Sequence, residues 1–211
     1  MQKGKFIVID GMDRTGKTTQ INLLRKKLSD SPVLFTREPG GTERGALVRK
    51  ILLDKELPTT TALMDLLLFF ADREDHLHMK VLPALERGIH VLSDRGPSST
   101  DAFQINGEQR KDLLPAFVYL HKLVLGENVP DAYVILELDP HLAFERSRDA
   151  AKETRFDLKP IEYHERVREG FRRFPPKGIP ESPKYMIDAS GTVEDVHEDI
   201  WKVVSDILEM K

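Results

Sequence analysis

The stretch that most constrains the fold of this chain is residues 11–18, GMDRTGKT, which fits the pattern G-x-x-x-x-G-K-[ST]. The apolar, β-branched run KFIVID precedes it, and a helical pattern that begins at Lys17 follows it. A glycine loop between a buried strand and a helix binds phosphates well, because successive N–H groups and the helix N-terminus supply positive potential. A plain glycine turn would not require Lys17 followed by Thr18. The stretch therefore predicts a phosphate-binding loop.

The residues of this loop predict separate contacts with a nucleoside triphosphate. Gly11 and Gly16 allow the backbone to wrap around phosphate oxygens. Lys17 supplies a cation for the β- and γ-phosphates, and Thr18 supplies a hydroxyl for Mg²⁺. The whole loop is predicted to contact the ATP phosphates, through Gly11, Met12, Asp13, Arg14, Thr15, Gly16, Lys17 and Thr18.

Strand and helix patterns alternate along the rest of the chain. Five short apolar runs predict strands: KFIVID, PVLFTR, IHVLSD, AYVILEL and KYMID. Near-continuous apolar strands separated by helices indicate an α/β fold, with a parallel sheet covered by helices on both faces. We expect one domain over residues 1–211. Helices are predicted over 17–28, 43–53, 62–86, 112–125, about 140–151, 161–174 and 193–207, with Ser98 or Ser99 capping a further helix.

Composition excludes several classes of function. The 211 residues carry a formal net charge of −3 without a long basic block, which argues against a nucleic-acid polymer or a membrane surface as partner. The chain has no cysteine, so disulfides, thiolate metal sites and cysteine nucleophiles are excluded. Its apolar runs are too short to span a bilayer, and no signal-peptide pattern is visible. We therefore expect a cytoplasmic protein.

The strand IHVLSD ends in Asp94, and Arg95 follows it directly. The carboxyl ends of parallel strands form the ligand crevice of an open α/β sheet. Asp94 is predicted to reach Mg²⁺ through water, and Arg95 suits a second anion beside the triphosphate. The base-recognition motif N-K-x-D of GTPases is absent, and a motor ATPase would usually carry Asp-Glu at this strand end. Among the proteins with such a loop, a kinase is favoured.

Aromatic and basic residues elsewhere predict where an acceptor nucleotide binds. Phe69 and Arg73 are four residues apart in the long helix and share one face, so a ring that stacks and a guanidinium that hydrogen-bonds form a plausible base-binding pair. Core packing is the simpler interpretation for Phe69 or Phe103 taken alone. The run LLLFF does not show whether Phe69 or Phe70 faces the ligand. Other candidates lie at predicted strand ends or in the stretch DRGPSSTDAFQ, namely Arg37, Arg95, Ser99, Thr100 and Gln104.

Six stretches, in this order and spacing, resemble the thymidylate kinases: GMDRTGKTTQ, FTREPGGT, LLFFADR, VLSDR, SSTDAFQ and ERSRDAAKETRFD. The resemblance extends over most of the chain. It implies phosphorylation of dTMP to dTDP by ATP with Mg²⁺, a step toward dTTP. It also implies a P-loop NTPase fold with a five-stranded parallel sheet, a small lid at about residues 145–158, and a homodimer.

The resemblance assigns acceptor contacts by position. Asp13 would accept a hydrogen bond from the 3′-hydroxyl of the sugar. Phe69 would stack on thymine and Arg73 would bond its edge. Phe103 would crowd the 2′ position of the sugar and so favour deoxyribose. Two further residues would line the base pocket, Ser99 and Gln104.

The resemblance also assigns the arginines that face phosphate. Arg95 would hold the acceptor phosphate, helped by Arg37 or Arg49, between which the sequence does not choose. Some thymidylate kinases use an arginine in the phosphate loop on the transferred group, and others use arginines of the lid. This chain has both, so we expect Arg14 to carry most of the transition-state charge and Arg155 to assist.

The sequence departs from the thymidylate kinase pattern at one place, and it allows two alternative functions. Gly96 and Pro97 stand where many thymidylate kinases have tyrosine after the Asp-Arg pair, so the local loop shape is not predicted. A kinase of another nucleoside monophosphate or of a deoxynucleoside would share the donor loop, although a nucleoside needs no second anion site. A non-catalytic nucleotide-binding protein would not need an acceptor site.

Overall fold

The computed structural model describes residues 3–57, 60–146 and 154–210. A five-stranded sheet lies at its centre, in the order β2-β3-β1-β4-β5, and every neighbouring pair of strands is parallel. This confirms the predicted α/β fold with a five-stranded parallel sheet. The strands are β1 (Phe6–Gly11), β2 (Val33–Arg37), β3 (His90–Asp94), β4 (Ala132–Glu137) and β5 (Lys184–Asp188).

Helices connect the strands close to the predicted positions. The helix predicted over 62–86 is continuous, but its α-helical ends are joined by a π-helical segment, Leu77–Val81. A second π-helical segment, Asp101–Gly107, was not predicted. The predicted end of the helix near residue 151 lies outside the described residues. The helices are α1 (Lys17–Lys27), α2 (Glu43–Leu53), α3 (Ala62–His76), α4 (Leu82–Glu86), α5 (Pro97–Thr100), α6 (Leu114–Leu125), α7 (Pro140–Arg146), α8 (Ile161–Arg173) and α9 (Val193–Ile207).

The predicted serine cap of α5 is wrong. Gly96 occupies the N-cap position, and Ser98 and Ser99 lie inside the helix. Their hydroxyls donate instead to the two carboxylate oxygens of Asp10, at 2.6 and 2.7 Å. A serine caps a helix by accepting from a backbone N–H, but a buried carboxylate is a stronger partner for its hydroxyl.

The sheet order brings the loops after β1 and β3 side by side. Asp94 at the end of β3 is in register with Ile9 of β1 on one side and with Arg37 of β2 on the other. Ile9 is fully buried, so the carboxyl ends of three strands rise directly from the core. The ligand crevice predicted for this edge therefore has the phosphate loop, Arg37 and Asp94 as immediate neighbours.

Candidate functional site

The phosphate loop connects β1 to α1 through backbone conformations that glycine favours. Gly11 has φ 137°, and a Cβ there would lie 2.3 Å from the carbonyl oxygen of Leu136 on β4. Gly16 has φ 88° and is the N-cap residue of α1. Arg14, between them, also has positive φ, at 66°. The two glycines of the motif are thus required by close approach to β4 and by the turn into the helix.

Lys17 is buried within this loop. Its ammonium donates to the carbonyl oxygens of Gly11 and Met12 at 2.9 and 2.7 Å. Burial and the nearby charge of Arg95 lower the pKa of Lys17 to about 8, although Asp13 opposes the shift. The Lys17 cation is therefore held in the loop, where phosphate oxygens would be alternative partners to the two carbonyls.

Thr18 and Asp94 line a shallow depression beside the loop, and Arg37 lies there too. Asp94 Oδ1 is buried and has no hydrogen-bond partner within the described part of the chain. A carboxylate oxygen and a hydroxyl are ligand types that suit Mg²⁺ or the water bound to it. Among the described residues, no group of three or more His, Cys, Asp or Glu side chains could hold a metal ion. Thr18 and Asp94 therefore fit an ion that takes most of its ligands from phosphate and water.

A second and more enclosed cavity opens next to the loop. It is lined by every residue predicted to contact the acceptor except Arg37 and Thr100: Asp13, Arg49, Phe69, Arg73, Arg95, Ser99, Phe103 and Gln104. Between the two arginines that the sequence left open, the structure thus places Arg49 on the cavity and Arg37 on the neighbouring depression. Lining residues that the sequence did not single out as acceptor contacts are Glu38, Pro39, Leu53, Gly96, Thr154 and Phe156.

Arg95 lies at the end of this cavity nearest the phosphate loop. Its Nη2 donates to Asp13 Oδ1 at 2.5 Å, and its Nη1 donates to Ser99 Oγ at 2.8 Å and to the Gly11 carbonyl at 3.0 Å. Nη1 also lies 3.2 Å from Asp10 Oδ1. Arg95 has φ 74°, a conformation that is uncommon for a residue with a side chain and is often found at functional sites.

The two aspartates around Arg95 have opposite pKa shifts. Burial raises the pKa of Asp10, even though Arg95 and the hydroxyl of Ser98 favour its charged form. Burial opposes ionisation of Asp13 as well, but Arg95 and Lys17 outweigh it and lower its pKa. Asp13 is thus the carboxylate that keeps its charge on the cavity wall, where it can accept a hydrogen bond.

Arg73 and Gln104 supply polar groups deeper in the cavity. Arg73 donates from Nε to Glu38 Oε2 at 2.8 Å and from Nη2 to Thr100 Oγ1 at 3.0 Å. Its Nη1, like both amide atoms of Gln104, is buried without a hydrogen-bond partner in the residues that the structure describes. Buried polar atoms are normally hydrogen-bonded, so these three atoms indicate a ligand or water that carries both donors and acceptors.

The aromatic residues of the cavity resolve the ambiguity in the run LLLFF. Phe70 is 2 % exposed and packs edge-on against Phe117 in the core, whereas Phe69 lines the cavity. Phe103 has both roles, because it lines the cavity and packs edge-on against Phe171. It lies on the unpredicted π-helical segment, a kind of distortion that is frequent at functional sites.

The arginines predicted to act in transfer lie outside this cavity wall. Arg14 has its guanidinium 4.5 Å from the ring centre of Phe144, and its Nε is 3.6 Å from Asp157 Oδ1. Arg155 donates from Nε to the Leu52 carbonyl and from Nη2 to Asp65 Oδ1, both at 2.6 Å. The structure therefore directs the Arg14 side chain from the loop toward Phe144 and Asp157, and it ties Arg155 to α2 and α3. Two further basic residues of the stretch ERSRDAAKETRFD, Arg148 and Lys152, lie outside the described residues.

Sequence reasoning missed three residues that hold the site together, Asp10, Glu38 and His76. Asp10 had a usable signal, since it is a carboxylate that directly follows the apolar run FIVI in a predicted buried strand. Glu38 and His76 form a hydrogen bond across 38 positions of sequence. No periodicity within one helix or strand predicts such a pair.

Comparisons with known proteins found one family over most of the chain. The family model described as thymidylate kinase matches residues 9–200. The thymidylate kinase of Caldicellulosiruptor saccharolyticus is 38 % identical over 213 residues, covering 99 % of this chain and 100 % of the relative. That of Hahella chejuensis is 37 % identical over 201 residues, covering 93 % of each.

A solved structure also matches the whole fold. The crystal structure of thymidylate kinase from Ehrlichia chaffeensis superposes with a TM-score of 0.76 at 28 % sequence identity. The match covers 96 % of this chain and 99 % of that one. In the part of the chain that the structure describes, no helix is long and apolar enough to cross a membrane.

Proposed function

The chain belongs to the thymidylate kinase family, and from that premise we propose how its residues carry out the transfer. It is an ATP-dependent kinase that phosphorylates dTMP to dTDP. An oxygen of the dTMP phosphate attacks the γ-phosphorus of ATP, and the bond to the bridging oxygen of ADP breaks. Such transfers depend on alignment and charge neutralisation rather than on a covalent intermediate.

The observation that carries our assignment is the enclosed cavity beside the phosphate loop. Its lining includes Arg95, which bonds the Gly11 carbonyl of the phosphate loop, and Arg73, which bonds Glu38 and Thr100 instead. We propose that Arg95, with Arg49, binds the acceptor phosphate, and that Phe69 stacks on thymine. Arg73 Nη1 and the amide of Gln104 would bond the polar edge of the base, because these atoms have no partner among the described residues.

The deoxyribose would lie between the phosphate bound by Arg95 and the base bound by Arg73. Asp13 keeps its charge on the cavity wall, so it would accept a hydrogen bond from the 3′-hydroxyl. The rings of Phe103 and Phe156 contact each other with centres 6.1 Å apart, and both line the cavity. We propose that Phe103 crowds the 2′ position, while Ser99 keeps Arg95 in place through its 2.8 Å hydrogen bond.

The donor phosphates would bind in the loop formed by residues 11–18. Its backbone N–H groups lie at the N-terminus of α1, which favours anions. Lys17 would exchange its two carbonyl partners for the β- and γ-phosphates. Thr18 and Asp94 would hold Mg²⁺, with Asp94 acting through water. The support for Asp94 is its Oδ1, which has no hydrogen-bond partner among the described residues. When bound, Mg²⁺ would neutralise charge on the β- and γ-phosphates.

We propose that Arg14 supplies most of the charge that stabilises the transferred phosphoryl group and that Arg155 assists. Arg14 belongs to the phosphate loop, in which its backbone has a positive φ of 66°. Arg155 must leave both Asp65 and the Leu52 carbonyl to reach the same place. The residues of about 145–158 would act as a lid on the single kinase domain of residues 1–211.

An acceptor panel tests the substrate assignment. Release of ADP is measured with dTMP, dUMP, dGMP, dCMP, dAMP and thymidine at saturating ATP, with and without Mg²⁺. We expect the highest kcat/KM for dTMP, no turnover of thymidine and no activity without the metal. A higher kcat/KM for any other acceptor would contradict the assignment.

We also propose a cytoplasmic homodimer. Leu63 and Leu67 are exposed one turn apart on α3, and Tyr119 and Leu123 are exposed one turn apart on α6, which packs against α3. Exposed apolar side chains on neighbouring helices suit an interface with a second copy, in which the same surface meets itself. Light scattering should give twice the chain mass, and Leu67→Glu with Leu123→Glu should halve it.

A further inference from the structure

His76 and Glu38 form a buried polar pair next to the cavity that we propose binds the acceptor, called the acceptor cavity below. His76 has no role in the assignments above. His76 at the end of α3 has no exposed surface, and both nitrogens of its ring have partners. Nδ1 lies 3.0 Å from Glu38 Oε1, and Nε2 lies 2.7 Å from Thr36 Oγ1. Glu38 uses its other oxygen to accept from Arg73 at 2.8 Å. His76 is thus linked to a cavity-lining arginine through one carboxylate.

The direction of these hydrogen bonds follows from the chemistry of the groups. Burial opposes ionisation of Glu38, but Arg73 and the hydrogen bond from His76 outweigh it and lower the pKa of Glu38. An ionised carboxylate only accepts, so His76 Nδ1 must carry a hydrogen. The hydroxyl of Thr36 can either donate to Nε2 or accept from it. His76 therefore donates to Glu38 whichever charge its ring carries.

Glu38 in turn restricts the guanidinium of Arg73. That side chain is 3 % exposed and is fixed at two points, by Glu38 at Nε and by Thr100 at Nη2. A planar guanidinium held at two edges has one orientation, and its Nη1 remains without a partner in the described part of the chain. The orientation of Arg73 consequently depends on where Glu38 is held.

Gly41 holds the ring of His76 from the other side. A Cβ at Gly41 would lie 2.5 Å from His76 Cδ2, 2.9 Å from Nε2 and 2.7 Å from the Arg37 carbonyl oxygen. Gly41 needs no unusual φ, so close approach to the imidazole and to that carbonyl explains why this position of FTREPGGT lacks a side chain. A side chain at position 41 would therefore displace the imidazole or the Arg37 carbonyl.

We propose that His76, seated by Thr36 and Gly41, is a positioning residue that fixes Glu38 and thereby orients Arg73 toward the base of the acceptor. His76 does not line the acceptor cavity, so it acts only through Glu38. The inference rests on the proposed contact between Arg73 and thymine. It predicts a defect that is specific to acceptor binding and leaves donor binding and turnover intact.

The main variant is His76→Leu, which removes both hydrogen bonds, and its matched control is His76→Asn, whose amide nitrogen can replace Nδ1 as donor to Glu38. Steady-state kinetics give kcat and the KM values for dTMP and ATP, and calorimetry gives the Kd of dTMP. For His76→Leu we expect the KM and Kd for dTMP to rise about 10- to 100-fold, with kcat and the KM for ATP within about threefold. His76→Asn should stay within about threefold of the unmodified protein.

A double-mutant cycle with Arg73→Ala separates this inference from the proposed function. If Arg73→Ala leaves the Kd of dTMP unchanged, the proposed role of Arg73 is wrong. If Arg73→Ala weakens dTMP binding but His76→Leu does not, or if the two effects multiply, only the role of His76 is wrong. We expect His76→Leu to add less than about twofold in the Arg73→Ala background.

A purely structural role for His76 would show a different pattern. His76→Leu would then lower kcat and weaken the binding of ATP as well as dTMP, and His76→Asn would show the same defects. Should His76→Leu fail to fold, Gly41→Ala and Thr36→Val displace the ring or remove one partner. An unchanged Kd for dTMP in both of those variants would overturn the proposal.

Discussion

The proposed acceptor cavity and the proposed lid differ in where their arginines are held, although each of these arginines bonds a buried carboxylate. Arg73 and Arg95 on the cavity wall are held by buried carboxylates that other parts of the fold supply, Glu38 and Asp10. Arg155 is held by Asp65, which is also buried, and by a backbone carbonyl of α2, and it does not line the cavity. Because Arg73 and Arg95 already line the cavity, it is arranged for a ligand in advance, whereas Arg155 would have to exchange partners before it could act in the proposed transfer. Electrostatic preorganisation of this kind is usually the larger contribution to catalysis.

Removal of Arg95 tests whether the cavity is preorganised for the acceptor phosphate. We expect Arg95→Ala to lower kcat/KM for dTMP about 10²- to 10³-fold, because the acceptor phosphate loses a fixed cation and Asp10 loses a buried partner. Steady-state kinetics at saturating ATP measure it. Arg44→Ala, at an exposed arginine on α2, is the matched control and should retain full activity. A loss below tenfold would contradict the assignment.

Substitution of Arg14 and Arg155 tests which arginine contributes more to phosphoryl transfer. At saturating substrates we expect Arg14→Ala to lower kcat about 10²-fold and Arg155→Ala about 10-fold, since Arg155 is committed to Asp65 and Leu52. Single-turnover measurements distinguish transfer from product release. Turnover of Arg14→Ala within a few-fold of the unmodified protein, or a larger loss for Arg155→Ala, would reverse the proposed division of labour.

Asp94 tests whether the unpartnered carboxylate serves the metal. Asp94→Asn should raise the Mg²⁺ concentration needed for half-maximal activity about tenfold, because an amide binds metal-bound water more weakly than a carboxylate does. A titration with Mg²⁺ at fixed ATP measures it. Asp188→Asn, at the exposed end of β5, provides the control at another strand end. An unchanged Mg²⁺ requirement would remove Asp94 from the metal site.

Lys17 should give the donor site a pH dependence that the acceptor site lacks. Its pKa is lowered to about 8 in the free protein by burial and by Arg95, and only the ammonium form binds phosphate. Affinity for ATP should therefore be constant below pH 8 and fall above it, by at most about tenfold per pH unit. Calorimetry between pH 7 and 9.5 measures this. Lys17→Met should bind ATP weakly with no such dependence, and a flat profile in the unmodified protein would refute the prediction.

Much of the fold followed from local patterns. The five apolar runs became the five strands, and the helix predicted over 43–53 has the same bounds in the structure. The serine cap failed because a cap preference is local, whereas Ser98 and Ser99 bond Asp10, which is 88 and 89 positions away. The π-helical segment that carries Phe103 and Gln104 has no local signature that separates it from an α-helix.

The sequence by itself determined the phosphate loop, the parallel sheet and the residues that gather at its carboxyl edge, because strand and helix periodicity and the glycine spacing are local properties. Only the tertiary structure decided which side chains meet there. It placed Phe69 rather than Phe70 and Arg49 rather than Arg37 on the acceptor cavity. It also supplied Asp10, Glu38 and His76 as partners of the arginines. Periodicity defines the face of one helix or strand, but which faces meet depends on how all of them pack.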